Sequence, residues 1–188
     1  MRQATDKHWS DYYDQGKDFA LVTSSAITKF LDFIDPTLPK TCLDIGCGTG
    51  QLTRELAHRG YTCLGIDASS SAVKIAKSLT VGPKLQYFHF DIENDGIGAL
   101  PDQPYSLITC KLVYAFIKDK AAFLQKVSTL LASGGTFIII TPLKLDVPLE
   151  KTGIAVDYDT TLAELKDTFA PAKTYSYQGM AYFICKKR

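Results

Sequence analysis

The sequence predicts an α/β fold, in which helices cover both faces of a mostly parallel sheet. Short apolar runs alternate with segments of helical period between residues 41 and 141, and a glycine-rich turn follows the first run. Strands that alternate with helices pair in parallel through right-handed crossovers. Two further runs surround Gly179 and predict an antiparallel hairpin that closes the sheet.

Five apolar runs predict the strands that precede this hairpin. They are Thr41 to Ile45, Tyr61 to Ile66, Leu85 to Phe90, Tyr105 to Cys110 and Thr136 to Thr141. The fifth run is rich in β-branched residues, which is typical of a buried central strand. The hairpin strands are Thr174 to Gln178 and Met180 to Lys186.

Helices are predicted from apolar spacing and from capping residues. Gln51 to Arg59 is a predicted helix that ends before Gly60, and Asp119 is expected to cap a helix carrying Phe123 and Val127. Thr161 and Glu164 have the spacing of a capping box, which predicts that the last helix opens there and carries Leu162, Leu165 and Phe169. A helix is also expected over Phe19 to Ile34, and Pro142 to Tyr158 is expected to form a loop.

The turn after the first strand carries three glycines at alternating positions, Gly46, Gly48 and Gly50, with Asp44 two residues before the first. Glycine has no Cβ and tolerates positive φ, so a ligand can approach the backbone beside the amide groups at the helix start. A dinucleotide fingerprint has its third glycine three residues after the second, where this chain has Gln51. The spacing therefore argues against a nicotinamide-dependent oxidoreductase.

Carboxylates also stand at the ends of the second and third strands, as Asp67 and Asp91. The two oxygens of an acid at the tip of the second strand can accept both hydroxyl protons of a ribose. Either acid alone could instead cap the next turn. Acids at three successive strand ends favour a binding site over coincidence.

The segment from Asp44 to Gly50 resembles motif I of the class I S-adenosylmethionine-dependent methyltransferases. The resemblance extends over residues 40 to 188 and implies seven strands, of which the last is antiparallel, and S-adenosylmethionine as cofactor. It further implies that Asp67 and Ala68 lie at the ribose, and that Asp91 and the Ile92 amide meet the adenine. The implied cofactor set is Asp44, Gly46, Cys47, Gly48, Gly50, Asp67, Ala68, Asp91, Ile92, Cys110 and Tyr13.

The acceptor side is expected just after the fourth strand, where Cys110 should face the cofactor. Methyl transfer is a direct displacement, so positioning can supply much of the catalysis and a base is needed only for an acceptor that carries a proton. Lys111 and Tyr114 are the polar side chains expected near the methyl group, and we take them as candidate catalytic residues. Small-molecule relatives often have histidine where this chain has Ala115.

Residues 1–35 are expected to form a helical lid on a single domain spanning 1–188. The segment His8 to Tyr13 is too rich in aromatic residues for a disordered tail, and relatives use such a segment to cover the cofactor. Tyr13 is the predicted contact. Packing of Trp9 and Tyr12 on the sheet is the alternative interpretation.

Composition limits the partners of the chain. Lys and Arg number 21 against 20 Asp and Glu, which provides no general attraction to nucleic acid. The sequence has no apolar run of membrane-spanning length and no secretion signal at its start. Five cysteines, without a cluster of metal-ligand spacing, suggest reduced thiols in the cytoplasm and no metal site.

We therefore predict a cytoplasmic methyltransferase that acts on the oxygen or nitrogen of a small-molecule acceptor. No cysteine follows a proline, and Cys110 to Val113 stands where an Asn/Asp-Pro-Pro-aromatic turn would be. In the family these absences argue against cytosine C5 methylation and against amino methylation of adenine or glutamine. The alternatives are an RNA or protein methyltransferase and a catalytically silent subunit that binds S-adenosylmethionine.

Overall fold

In a computed structural model, which describes residues 2–16, 18, 21–80, 82–101 and 104–187, seven strands form one sheet. The strands are β1 (Thr41–Ile45), β2 (Thr62–Asp67), β3 (Leu85–His89), β4 (Tyr105–Lys111), β5 (Leu131–Thr141), β6 (Phe169–Tyr177) and β7 (Met180–Lys187). Their order across the sheet is β3-β2-β1-β4-β5-β7-β6. Strands β1 to β5 pair in parallel, and β7 is antiparallel to both of its neighbours. The predicted fold class is confirmed.

Six α-helices flank the sheet within the described ranges. They are α1 (Arg2–Asp14), α2 (Ser24–Leu31), α3 (Gln51–His58), α4 (Ser70–Ser78), α5 (Lys120–Leu130) and α6 (Tyr158–Lys166). Short 3₁₀ helices occur at Ile97–Ala99, Tyr114–Phe116, Lys144–Asp146 and Leu149–Ile154. The last two lie in the segment that was expected to be a loop.

Side chains that alternate along the central strands build a core on each face of the sheet. Leu43 and Ile45 of β1 belong to a cluster with Phe123 and Val127 of α5. Cys42, which precedes Leu43 in the same strand, belongs to a second cluster that includes residues of α2 and α3. Successive side chains of a strand point to opposite faces, so each apolar central strand supports both layers of helices.

Helix starts follow local capping chemistry. Asp119 accepts a hydrogen bond from the Ala122 amide at the start of α5, as predicted. At α6, however, the cap is Asp157, which accepts from the Thr160 amide at 2.9 Å. The predicted capping box at Thr161 and Glu164 is therefore wrong, because the Asp157 carboxylate caps the helix four residues earlier.

Two further helix boundaries also differ from those predicted. Helix α6 ends at Lys166, and Phe169 begins the edge strand β6 and is fully buried. The predicted helix Phe19 to Ile34 begins on residues outside the described set, and its described part is helical over Ser24–Leu31. Thr23 caps that helix by accepting from the Ala26 amide.

Candidate functional site

A cavity of about 400 Å³ lies at the carboxyl ends of β1 to β4, beneath α1. Its walls come from α1, the glycine turn, the ends of β2 and β3, and the segment after β4. The lining residues are His8, Trp9, Tyr13, Asp18, Leu21, Ile45 to Thr49, Gln51, Ile66 to Ala68, Phe90 to Glu93, Lys111 to Val113 and Phe116 to Lys118. Ligands of open α/β sheets bind at this edge.

The glycine turn is held against the second strand. The amides of Gly46 and Cys47 both donate to the carbonyl oxygen of Ile66, at 2.8 and 3.0 Å. Gly46 has a φ of +68°, and a Cβ added there would lie 2.1 Å from Cγ2 of Val113. Only glycine therefore allows the segment after β4 to close on this turn.

Asp67 lies at the junction of the glycine turn and α4. Its Oδ2 accepts from the Gly48 amide and its Oδ1 accepts from the Ser69 amide, both at 2.8 Å. Burial raises the pKa of Asp67 to about 6, although the two amide hydrogen bonds lower it. Each carboxylate oxygen retains a further lone pair that can accept from a ligand hydroxyl.

Asp91 opens a tight turn at the end of β3. Its Oδ1 accepts from the Glu93 amide at 3.0 Å, and its Oδ2 accepts from Nδ2 of Asn94 at 2.7 Å. This is the capping interaction that the sequence left open as an alternative, and it leaves acceptor capacity on Oδ2. Ile92, the next residue, lines the cavity.

Asp44, which belongs to the implied cofactor set, lies behind the glycine turn and is fully buried. It does not line the cavity. Its two oxygens accept from the hydroxyls of Thr53 and Thr109, each at 2.7 Å. Burial raises the pKa of Asp44, against these two hydrogen bonds and the nearby charge of Lys111. Asp44 thus ties β1 to α3 and β4 beneath the site.

Gly50 and Cys47 occupy different positions within the turn. Gly50 caps α3 with a φ of +81° and packs on Tyr87, and it does not line the cavity. Cys47 lines the cavity, and burial raises the pKa of its thiol well above the usual value. The three glycines therefore differ in function, because the turn rotates the third one toward the helix.

Lys111 and Cys110, at the end of β4, point to opposite sides. Lys111 lines the cavity, and burial lowers the pKa of its ammonium group while Asp44 and Asp18 counteract the shift. Cys110 pairs in register with Ile45, is fully buried in the core and does not line the cavity. Strand alternation is the reason, since only one of two successive side chains can reach the cavity.

Tyr114 also lies away from the predicted position. It is fully buried and packs on Phe123, and its hydroxyl donates to Oε2 of Glu164 at 2.8 Å. The chain reverses at Leu112, which has the positive φ of 57°, and the ring then enters the core. Phe116, Ile117 and Lys118 form the cavity wall in its place.

Helix α1 covers the cavity through His8, Trp9 and Tyr13. Trp9 packs edge-to-face on Phe116, with 4.9 Å between the ring centroids. The Tyr13 hydroxyl lies 2.7 Å from the position that a Cβ on Gly48 would occupy. Residues 8–13 therefore lie where a lid is expected, and Trp9 joins two walls of the cavity.

Sequence reasoning missed several lining residues. Phe90 and Glu93 flank Asp91 on either side, and Lys118 follows the segment after β4 that was expected beside the methyl group. Each of them lies close in sequence to a predicted position, and this closeness is the signal that could have identified it. Gln51, which replaces the third dinucleotide glycine, binds the backbone of Val22 through both ends of its side-chain amide.

Two features are absent from the residues that the structure describes. These residues contain no group of three or more His, Cys, Asp or Glu side chains arranged to hold a metal ion. No helix among them combines the length and apolar character needed to cross a lipid bilayer.

The strand order, the glycine turn and the acids at the strand ends define a Rossmann-like protein of the class I methyltransferase fold. Residues 43–139, just over half of the chain, match the family described as methyltransferase domain. The chain therefore belongs to this family of S-adenosylmethionine-dependent methyltransferases, and S-adenosylmethionine is its cofactor.

Individual relatives are similar over most of the chain. Ubiquinone biosynthesis O-methyltransferase of Nitrosomonas europaea is 29% identical over 130 residues, which are 68% of this chain and 54% of that protein. The chain spans about half the length of the curated relatives it matches.

Solved structures share the fold. An S-adenosylmethionine-dependent methyltransferase from Mesorhizobium loti superposes with a TM-score of 0.69 at 16% identity, covering 86% of this chain and 96% of the other. The plantazolicin methyltransferase BpumL, solved in complex with SAH, gives a TM-score of 0.68 at 15% identity over 86% and 81% of the two chains.

Proposed function

We propose that this protein methylates an oxygen or nitrogen atom of a small-molecule acceptor. The observation that carries the proposal is the covered cavity, in which α1 leaves a space of about 400 Å³ bounded by the glycine turn, Asp67 and Lys111. A partly enclosed space of this size suits a cofactor and a compact acceptor group better than a long polymer.

The chemistry of the cavity walls fits the cofactor. Asp67 would accept the ribose hydroxyls, beside Ala68. Asp91 would accept the adenine amino group through Oδ2, and the Ile92 amide would donate to the ring. These roles follow from the free acceptor capacity of the two carboxylates and from the position of all four residues at the cavity.

The glycine turn would lie along the methionine part of the cofactor. Gly46, Cys47 and Gly48 line the cavity there, while Gly50 fixes the start of α3. Asp44 and Cys110 would act from behind the wall, Asp44 by holding β1, α3 and β4 together. When bound, the cofactor supplies an electrophilic methyl group on a sulfonium.

Lys111 is the acceptor-side residue that we favour. A half-buried lysine with a lowered pKa can take a proton from the acceptor or bind an anionic group on it. Tyr13 would close the site from α1. Tyr114, which bonds Glu164 in the core, would contribute by holding the segment after β4.

Oxygen is the acceptor atom that the relatives' names favour, since several of the matched proteins are named O-methyltransferases. The similarity does not extend over their full length, so the acceptor is proposed by class alone. The five free cysteines support a reducing compartment such as the cytoplasm.

The proposal is tested by incubating the protein with methyl-labelled S-adenosylmethionine and a fractionated metabolite extract. We expect label in a low-molecular-weight fraction, at a rate that Lys111→Met lowers and that exposed Lys74→Met leaves unchanged. Label in RNA or protein would favour the polymer alternatives. Cofactor binding without any transfer, together with a stably co-purifying partner, would favour a silent subunit.

A further inference from the structure

Lys126 of α5 binds the turn that follows β3. Its ammonium group donates to the carbonyl oxygens of Ile92 at 2.7 Å, Glu93 at 2.8 Å and Asp95 at 3.3 Å. A lysine has three N–H donors, so this one turn uses all of them. The side chain is half-buried beside the apolar face of α5.

The same turn is closed from within. The Asp91 carbonyl accepts from the amides of Asn94 and Asp95, at 3.1 and 2.8 Å, and the Asp91 amide donates to Oδ2 of Asp95 at 2.9 Å. The Glu93 amide donates to the Asp91 carboxylate. Of the amides of residues 91–95, only that of Ile92 has no acceptor among the residues that the structure describes.

The geometry of the peptide bond directs this remaining amide. The Asp91 carbonyl belongs to the same peptide group as the Ile92 N–H, and the two point in opposite directions in a trans peptide. Hydrogen bonds hold the carbonyl toward the turn, so the N–H points away from it. Lys126 fixes the next two carbonyls, which prevents these peptide groups from rotating.

Charge makes the turn dependent on this lysine. Asp91, Glu93 and Asp95 are three acidic residues within five positions, and the ammonium group of Lys126 binds the backbone carbonyls of Ile92, Glu93 and Asp95 in the same turn. Glu93 also accepts from the amide of Lys118 at 2.8 Å, which connects the turn to the segment that precedes α5. Without the cation, repulsion and unpaired carbonyls would loosen the turn.

We propose that Lys126 is a positioning residue that sets the specificity of the site for adenine. It acts through the Asp91–Asp95 turn, by keeping the Ile92 amide and the Asp91 carboxylate in place. The inference rests on the proposed placement of adenine at these two residues.

Hypoxanthine is the base that tests this arrangement. Adenine presents an amino donor and a ring-nitrogen acceptor, which complement a carboxylate and an amide. Hypoxanthine presents a carbonyl oxygen and a protonated ring nitrogen, so it would place acceptor against carboxylate and donor against amide. A rigid turn should therefore favour S-adenosylhomocysteine over S-inosylhomocysteine, and a loose turn should lose part of that preference.

The experiment compares the affinity of the two ligands for the wild type, Lys126→Met, Lys126→Gln and the exposed control Lys74→Met by calorimetry. We expect Lys126→Met to weaken S-adenosylhomocysteine binding about tenfold, and to reduce the adenine preference by a similar factor. Lys126→Gln keeps two donors and should give an intermediate ratio. Lys74→Met should behave as the wild type.

The ratio of the two affinities separates positioning from stability. An unchanged ratio in both Lys126 variants, even with a lower unfolding midpoint, overturns the inference. If Lys126→Met does not fold, the ratio of Lys126→Gln decides alone. A wild type that does not prefer adenine, or an Asp67→Ala variant that binds as tightly as the wild type, counts against the proposed cofactor placement itself.

Discussion

Burial of Asp67 opposes the ionised form of its carboxylate, which its proposed function requires. In the proposed placement its carboxylate must be ionised to accept two ribose hydroxyls, yet burial raises its pKa to about 6. Cofactor affinity should therefore be full above pH 6 and should fall as the pH decreases through that value, by up to about tenfold per pH unit. Calorimetry with S-adenosylhomocysteine between pH 5 and 8 measures this, and Asp67→Asn should remove the step.

The same pKa has an opposite consequence for folding. The folded form holds the Asp67 proton more tightly than the unfolded chain, whose value is near 3.8. This residue's contribution to the free energy of unfolding therefore decreases between about pH 4 and pH 6 and is constant above pH 6.

Asp67→Ala should weaken cofactor binding roughly ten- to a hundredfold, because hydrogen bonds to a charged group are lost. An unchanged Kd would remove Asp67 from the ribose site.

Gly46 provides a steric prediction. Gly46→Ala combines a positive φ with a Cβ placed 2.1 Å from Val113, and it should destabilise the fold by about 1 to 3 kcal/mol. Val113→Ala should recover the steric part but not the backbone strain. Denaturant unfolding of both single variants and the double variant measures the coupling, and strictly additive effects would contradict the proposed clash.

Tyr114 should now affect stability more than catalysis. Its hydroxyl bonds Glu164 outside the cavity, so Tyr114→Phe should lower the free energy of unfolding by about 1 kcal/mol with kcat nearly unchanged. Glu164→Gln is the matched variant, since its amide oxygen can still accept from the hydroxyl. A large loss of kcat in a stable Tyr114→Phe would restore the original catalytic assignment.

Sequence reasoning placed Asp67, Asp91 and Lys111 at the cavity because acids and polar residues at strand ends meet at one edge of a parallel sheet. It misplaced Cys110 by one position of strand alternation. It misplaced Tyr114 because the reversal at Leu112 requires a positive φ, which a leucine does not signal. Such errors in the placement of a side chain can be corrected only from tertiary contacts.

At the scale of elements, α1 is attached to the rest of the protein by hydrogen bonds at the start of α4. Asp6 accepts from the Ser70 amide at 2.9 Å, and the hydroxyls of Ser10 and Ser69 lie 2.9 Å apart. These contacts are mostly polar and partly exposed, so α1 should open at a lower free energy than the sheet. A ligand that contacts Tyr13 should hold it closed.

Tryptophan fluorescence tests this expectation, because Trp9 is the only tryptophan. Saturating S-adenosylhomocysteine should change its emission and slow proteolysis near Tyr12 and Tyr13. Asp6→Ala should increase the rate of proteolysis of the free protein. The difference from the wild type should be smaller when S-adenosylhomocysteine is bound. If the wild type shows neither change, α1 is not a lid.

Among the elements, those with strong apolar patterns were predicted best. The strands β1, β2, β4, β5 and β7 have mostly buried side chains that carry the signal. Helix α1 has a polar sequence with little apolar periodicity and depends on tertiary contacts. The start of α6 depended on choosing between two capping sequences, which local pattern does not rank.

At the scale of the whole molecule, five free thiols report on how cooperatively the fold opens. Cys42, Cys63, Cys110 and Cys185 are buried in the two cores on either side of the sheet, and Cys47 lies in the cavity wall. Burial raises the pKa of Cys185 to about 12 and that of Cys47 well above the usual value. The thiolates of these two cysteines are therefore scarce in the native state, and burial means that reaction of any of the five thiols with a reagent requires opening.

We expect the four core thiols to react together, at the rate of global unfolding, because they lie on the two faces of one sheet. Cys47 should react sooner, since opening of α1 exposes the cavity without unfolding the sheet. S-adenosylhomocysteine should slow Cys47 specifically, and Asp6→Ala should accelerate it. Mass spectrometry of time-resolved labelling measures each rate, and equal rates for all five thiols would mean that α1 and the sheet open as one unit.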